Sequence, residues 1–339
     1  MTTWDDLNAR ARGLAAHLLG RATLEGLAHA PDLPTIAAEL ASRGYPVQES
    51  ARTSGAALEL AVRRAIALKL RILARWAGSR TEPLAVLFED EDRRSITALV
   101  RGAAQHAPAE LRLSGLIPTP ELPERALEEL ARQRTPASVA SLLTAWRHPL
   151  APAVLRDASH PEPDLFQVEI ALSRAFAQRA LAAARRAGRR GLLFRYVRQV
   201  IDIENAFTAL ALSEEKEPRV AEVWLPGGRA IALDLAQRAA LSGDATAACQ
   251  LLAAGFAGTT LAGVFAAPDK QPAGLELGVL AAQITELRAR ARIEPLSVAF
   301  LLGFALRLRA EALDIRRVIW GVSLGAPVPM LVEGLVTAA

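Results

Sequence analysis

Apolar residues recur along this chain at the three-to-four-residue spacing of helices and do not alternate as they would on a half-buried strand. From Trp4 to Leu19 the positions Leu7, Ala11, Leu14, Ala15 and Leu18 share one helical face. A longer helix is predicted from Leu58 to Trp76. Its stripe is Leu58, Val62, Ala65, Ile66, Ile72, Leu73 and Trp76, with Arg63, Arg64 and Arg71 largely off it. Such a face requires a packed neighbour. Asp32, Thr135 and Asp244 carry side-chain oxygens suited to helix N-caps, and Pro136 suits a first helical turn.

The helical pattern is also periodic over a much longer interval. The stretch Ile201-Asp202-Ile203-Glu204-Asn205-Ala206-Phe207-Thr208-Ala209-Leu210 is echoed 110 positions earlier, by Asp92 to Leu99, and 112 positions later, by Asp314 to Ile319. Leu58-Glu59, Val168-Glu169 and Leu275-Glu276 recur at 110 and 107 positions, and helices beginning at Leu24, Leu127 and Leu233 at 103 and 106. Proline-bearing seams at Leu116-Ile117-Pro118-Thr119-Pro120 and Trp224-Leu225-Pro226-Gly227-Gly228 interrupt the helices 108 positions apart. Agreement among these intervals is what a triplicated unit gives. The expected units are residues 1–113, 114–218 and 219–339, with Asp92, Asp202 and Asp314 in equivalent places. Ser213 to Arg219, rich in charge, is expected to be an exposed linker.

In the central copy Ile203, Ala206, Phe207 and Leu210 form one stripe, while Asp202 and Asn205 form an i, i+3 polar pair on another. Arg198, four residues earlier, is placed to ion-pair with Asp202. The pair is expected to be a buried contact between neighbouring helices, because buried polar groups are normally hydrogen-bonded.

Composition strengthens the all-α reading: 51% of the 339 residues are hydrophobic, and Ala, Leu, Arg and Glu dominate. The one cysteine, Cys249, cannot form an internal disulfide, and the opening residues lack the basic and apolar regions of a signal peptide, so an intracellular protein is expected. The formal charge is +4, but only Lys69, Lys216 and Lys270 are lysine. A basic complement made almost wholly of arginine fits a GC-rich genome better than phosphate binding. The densest cluster, Arg185, Arg186, Arg189 and Arg190, is expected at a helix C-terminus, where the dipole favours cations. The other reading is contact with a lipid headgroup or an acidic partner. Ala245 to Pro268 carries no charge, yet its Ala, Gly and Thr content predicts a buried helix and loop and not a membrane span.

Catalytic signatures lack their partners. Gly321-Val322-Ser323-Leu324-Gly325 has the spacing of a nucleophile elbow, but a helix precedes it and no histidine follows Ser323, so a helix terminus and turn is expected. Gly255 to Thr260 has no lysine ahead of its hydroxyl residues to reach a phosphate. The histidines at 17, 29, 106, 148 and 160 are dispersed, and Glu128 with Glu129 lies on a charge-mixed helical surface. The residues point to no catalytic site, no cofactor and no metal.

Taken in order, several stretches resemble the C subunit of bacterial and archaeal V/A-type rotary ATPases, the counterpart of the eukaryotic subunit d. They are Asn8-Ala9-Arg10-Ala11-Arg12 followed by His17-Leu18-Leu19, the central Asp202-x-x-Asn205, Leu225-Pro226-Gly227-Gly228, and Glu311-Ala312-Leu313-Asp314-Ile315-Arg316. The resemblance runs over nearly the whole length. It implies three similar helical domains closed into a funnel with pseudo-threefold symmetry, whose socket receives the central shaft and whose opposite end seats on the membrane rotor ring. It further implies a non-catalytic, peripheral subunit on the cytoplasmic side, a monomer in isolation with one copy per complex, transmitting torque for proton or sodium transport and binding no nucleic acid. Asp92, Asp202, Asn205, Asp314 and Arg316 are then structural or partner-contact residues. The alternative is a basic all-helical repeat adaptor for nucleic acid or another protein, which requires basic residues gathered on one face and a steep salt dependence.

Overall fold

The computed structural model describes residues 4–160, 162–267 and 272–337. Among these the regular structure is helical throughout, with no strand. The helices are α1 (Asp5–Ala15), α2 (Arg21–Ala28), α3 (Leu33–Ser42), α4 (Gly55–Ala77), α5 (Glu82–Ala104), α6 (Ala109–Leu113), α7 (Glu124–Ala131), α8 (Pro136–Ala145) and α9 (Ala151–Ala158). They continue as α10 (Leu165–Ala187), α11 (Leu192–Ala211), α12 (Val220–Val223), α13 (Leu233–Ala240), α14 (Ala245–Gly255), α15 (Thr260–Phe265), α16 (Pro272–Ile293), α17 (Ala299–Ser323) and α18 (Val328–Glu333). From α2 onward one order recurs: an eight-residue helix, a somewhat longer one, a shorter element (a 3-10 turn at Glu49–Ala51 in the first run, then α9 and α15), two long helices and a short one.

Local chemistry starts and stops these elements at matching places. Asp32 caps α3 through Thr35 N–H at 2.9 Å, Thr135 forms a capping box with Ser138, and Asp244 caps α14 through Ala247 N–H at 2.9 Å. Leu58, Val168 and Leu275 are each the fourth residue of a long helix and at most 2% exposed. One register differs from the sequence reading. The counterpart of Leu24 and Leu127 is Ala236, fourth in α13, with all three at most 1% exposed, whereas Leu233 is half-buried. A smaller residue at the buried position disguised the match.

The opening helix is also shorter than its apolar spacing suggests. It ends at Ala15, and Leu19 gives its N–H to the Glu311 carboxylate at 2.6 Å. That tertiary hydrogen bond draws the chain out of helical register.

Packing joins each run of helices to the next. The second long helix of each run, α5, α11 or α17, lies against the two helices that open the following run: α7 and α8, α13 and α14, and finally α2 and α3. The last contact brings the end of the chain onto its beginning. Arg21 at the start of α2 reinforces it by donating to the carbonyl oxygens of Val332 and Thr337. One large apolar cluster runs from α1 through α11 and along α17; a second gathers α11 to α16, where Phe256 and Phe265 stack at 5.0 Å.

The uncharged stretch is broken into α14 and α15 around Gly258 at φ +77°, and its last residue, Pro268, lies outside the described residues. Among the described residues no helix is long and apolar enough to cross a membrane. Residues 214–219 form a largely exposed segment, while Ser213 before them is buried. Ser323 is the last residue of α17, with Gly325 in the turn that follows.

Candidate functional site

Asp92, Asp202 and Asp314 sit on α5, α11 and α17, each at most 2% exposed. Each grips the segment that leaves the next short helix. Asp202 Oδ1 accepts from Arg229 N–H at 2.8 Å and Ile231 N–H at 3.0 Å, while Asn205 bonds both the N–H and the C=O of Leu225 at 2.8 and 2.9 Å. Asp314 accepts from Val336 N–H at 2.8 Å and Thr337 N–H at 2.9 Å. Asp92 accepts from the Thr119 hydroxyl at 2.5 Å and lies 3.3 Å from His148 Nε2. Burial pushes the carboxyls of Asp92 and Asp314 up from their ordinary range, against the lowering effect of these bonds.

Two local expectations change. Asp202 and Asn205 hold the second seam, and not a neighbouring helix. Arg198 does not pair with Asp202, because its guanidinium donates to the Gly227 and Gly228 carbonyls at 3.2 and 2.7 Å. The tight turn presents amides to the carboxylate and carbonyls to the cation, so both charges are met by backbone. The closeness of the turn needs glycine: a Cβ on Gly228 would overlap Asp202 Oδ1. Ser95, three residues after Asp92, takes the place of Asn205, and its buried hydroxyl has no hydrogen-bond partner among the described residues.

Beside these clasps a cavity of about 1120 Å³ opens between α5, α6, α10, α11, α14, α16 and α17. A second space of about 260 Å³, between α5, α11, α16 and α17, shares Arg94, Glu204, Phe207, Glu276 and Arg309 with it. Helices from all three parts of the chain therefore contribute to one lining. Its wall holds a charge network that sequence reasoning missed. Arg93, 6% exposed, donates to Asp90 at 2.8 Å, to Glu204 at 2.8 and 3.0 Å and to the Ser173 hydroxyl at 3.0 Å, and stacks 5.4 Å from the Phe176 ring centre. Burial alone would raise the Asp90 carboxyl, but Arg94 and Arg93 outweigh it and hold the group well below the usual carboxylate range. Arg309, half-buried beside Arg94, makes no ion pair among the described residues, and desolvation lowers its pKa. One signal could have found the network. Two positions beyond each motif aspartate stand Arg94, Glu204 and Arg316, opposite charges at corresponding places.

Arg316 itself faces away from Asp314. Its Nε lies 3.7 Å from Glu59, and its guanidinium packs on Gly115, tying α17 to α4 and the first seam. Glu59 also accepts from Gly115 N–H at 2.6 Å and from Trp320 Nε1 at 2.7 Å.

At the other end of the long helices the three hairpin turns are drawn together. Asp6 of α1 pairs with Arg80 at 2.6 Å in the α4–α5 turn, Asn8 donates to the Pro295 and Ser297 carbonyls in the α16–α17 turn, and Glu294 of that turn is 3.8 Å from Arg195 near the start of α11. Arg185 and Arg186 end α10 and Arg189 and Arg190 follow in its turn; all four are exposed, without ion pairs among the described residues. Ile293 and Leu296 are 71% and 61% exposed at the same end.

No group of three or more His, Cys, Asp or Glu side chains that could hold a metal ion gathers among the described residues. His148 is the buried histidine, held between Asp92 and Leu150 N–H. A comparison with curated proteins returns no match. A protein-family model described as the ATP synthase (C/AC39) subunit matches residues 7–330, and the chain therefore belongs to that family, a structural and not a catalytic subunit of rotary ATPases.

Proposed function

We propose that this protein is the central-stalk adaptor of a V/A-type rotary ATPase, seating the rotating shaft on the membrane rotor ring and passing torque between them for proton or sodium transport. The observation that carries this reading is the cavity lined jointly by α5, α10, α11, α16 and α17, a concave site built by long helices from the early, middle and late chain. The three units, residues 1–113, 114–218 and 219–339, close as a funnel around it, with α12 bridging the second and third. Closure suits a torque-bearing part, since three units joined head to tail bury the apolar end faces that an open array leaves in water.

Torque requires a wall that does not shear. The Arg93–Asp90–Glu204 network and the aspartate clasps resist it, since a displaced carboxylate would leave charges buried and unpaired. The shaft foot enters the cavity, and the hairpin-turn end, with Arg185, Arg186, Arg189 and Arg190, faces the ring and its lipid from the cytoplasmic side. No bond is made or broken on this subunit. In isolation it is a monomer, and one copy serves each complex.

The test is reconstitution with the shaft subunits and ring. A Glu214→Lys, Glu276→Lys variant reverses charge at two exposed positions of the cavity wall, and it is expected to lose shaft binding and ion pumping while the catalytic head still hydrolyses ATP. A wild-type chain that ignores the shaft subunits in a pull-down refutes the proposal.

A further inference from the structure

On a different face of α17 from the axial cavity, an apolar groove of about 700 Å³ runs between α16, α17, the α1–α2 link and the chain's final residues. Leu18, Ile284, Leu287, Phe300, Phe304 and Val336 supply its apolar surface. Five arginines line it: Arg21 is half-buried and paired with Glu25 at 2.7 Å, while Arg12, Arg288, Arg292 and Arg307 are exposed and in no ion pair among the described residues. The one carboxylate in the lining, Glu311, is already engaged by Leu19 N–H at 2.6 Å and Lys69 Nζ at 3.4 Å. The groove thus combines an apolar floor with an excess of positive charge over its single carboxylate. Arg12 lies over Phe300 at 5.2 Å, which leaves its hydrogen-bonding edge free. Burial lowers the pKa of Arg307, the nearby Glu311 carboxylate offsets part of that, and like-charged Arg288 adds to the lowering, so a further anion there would favour its charged form.

We propose that this groove binds an anionic membrane lipid, with an acyl chain along the half-buried Leu18, Ile284 and Phe300 and the headgroup phosphate on Arg288, Arg292 and Arg307. The size suits a single chain with part of a headgroup. Guanidinium groups bind phosphate by paired, charge-assisted hydrogen bonds. A lipid is favoured over a soluble anion by the floor, which free phosphate leaves unused, and by position. The groove reaches Arg292 and Pro295 at the hairpin end, next to exposed Ile293 and Leu296, so a lipid can enter from a membrane surface without crossing polar protein. The inference rests on the proposed placement of the hairpin end toward the membrane but not on shaft binding, so the lipid titration and the shaft pull-down can fail separately.

Calorimetric titration of the full chain tests it, with lysophosphatidylglycerol below its micelle concentration, lysophosphatidylcholine of the same chain length, and inorganic phosphate. One lysophosphatidylglycerol per chain is expected, bound at least about tenfold tighter than the zwitterionic lipid. Arg288→Gln and Arg307→Gln together are expected to weaken it by about tenfold or more, with unchanged melting temperature. Ala291→Trp, filling the groove from the half-buried face of α16, is expected to abolish it. Substituting Arg185, Arg186, Arg189 and Arg190 by Gln leaves it within about twofold if the groove is the site. Four outcomes overturn the proposal: no binding, equal affinity for both lipids, phosphate binding as tightly as the lipid, or loss of binding in the hairpin-turn variant but not in Ala291→Trp.

Discussion

Replacing Asp202 by alanine removes the carboxylate that anchors the second seam. Two amides lose their acceptor: Ile231 N–H, which is buried, and Arg229 N–H, which is partly so. An unsatisfied buried donor costs about 1 to 3 kcal/mol, and bonds to a charged acceptor lie at the upper side of the usual range. Weighting the wetter amide less, we expect a loss of about 3 to 4 kcal/mol. Each kcal/mol lowers the melting temperature of a chain this size by about 1.4 °C, so the midpoint should fall by about 4 to 6 °C. Asp202→Asn keeps one acceptor oxygen and turns an amide donor toward the amides, so it should lose about half as much. Circular dichroism during urea and thermal unfolding measures both, with the urea slope reporting whether the transition stays cooperative. Shaft affinity of the folded fraction should remain within a few fold, because Asp202 does not line the cavity. An unchanged midpoint refutes the clasp, and an unchanged midpoint with greatly weakened shaft binding shows Asp202 to be a contact residue.

Other perturbations probe the remaining structure. Arg93→Met strands Glu204 in a buried wall and leaves Asp90 with Arg94 alone, and is expected to cost about 3 to 5 kcal/mol by urea unfolding; a loss under about 1 kcal/mol contradicts the network. The Asp90 carboxyl is held down in the folded protein, so its contribution is fully present above the unfolded value of 3.8 and fades as pH falls toward the lower folded value. The stability difference between wild type and Asp90→Asn should therefore shrink on acidification below that point, and a pH-independent difference refutes the assignment. Gly228→Ala drives a methyl into Asp202 Oδ1 and should destabilise much as Asp202→Asn does, whereas Gly13→Ala, inside α1 with open space around it, should stabilise by up to about 1 kcal/mol in the same measurement.

Sequence alone determined the all-helical class, the three N-caps and the long recurrence, because these rest on local chemistry: propensity, capping oxygens and spacing along the chain. The burial of Asp92, Asp202, Asn205 and Asp314 was legible for the same reason, since each lies in a recurring motif within an apolar helix. What these residues hold was not legible. Asp202 and Arg198 are four apart and look like an ion pair, but each finds a better partner in the backbone of residues 227–231, and only the folded seam brings that backbone within reach. Tertiary structure likewise decided that α1 stops at Ala15, because the competing acceptor, Glu311, lies 292 positions from Leu19. The union of Arg93 with Glu204 across 111 positions follows the same rule. Whether a charge is paired, exposed or left facing a groove depends on which distant helix packs beside it, and no local pattern encodes that neighbour.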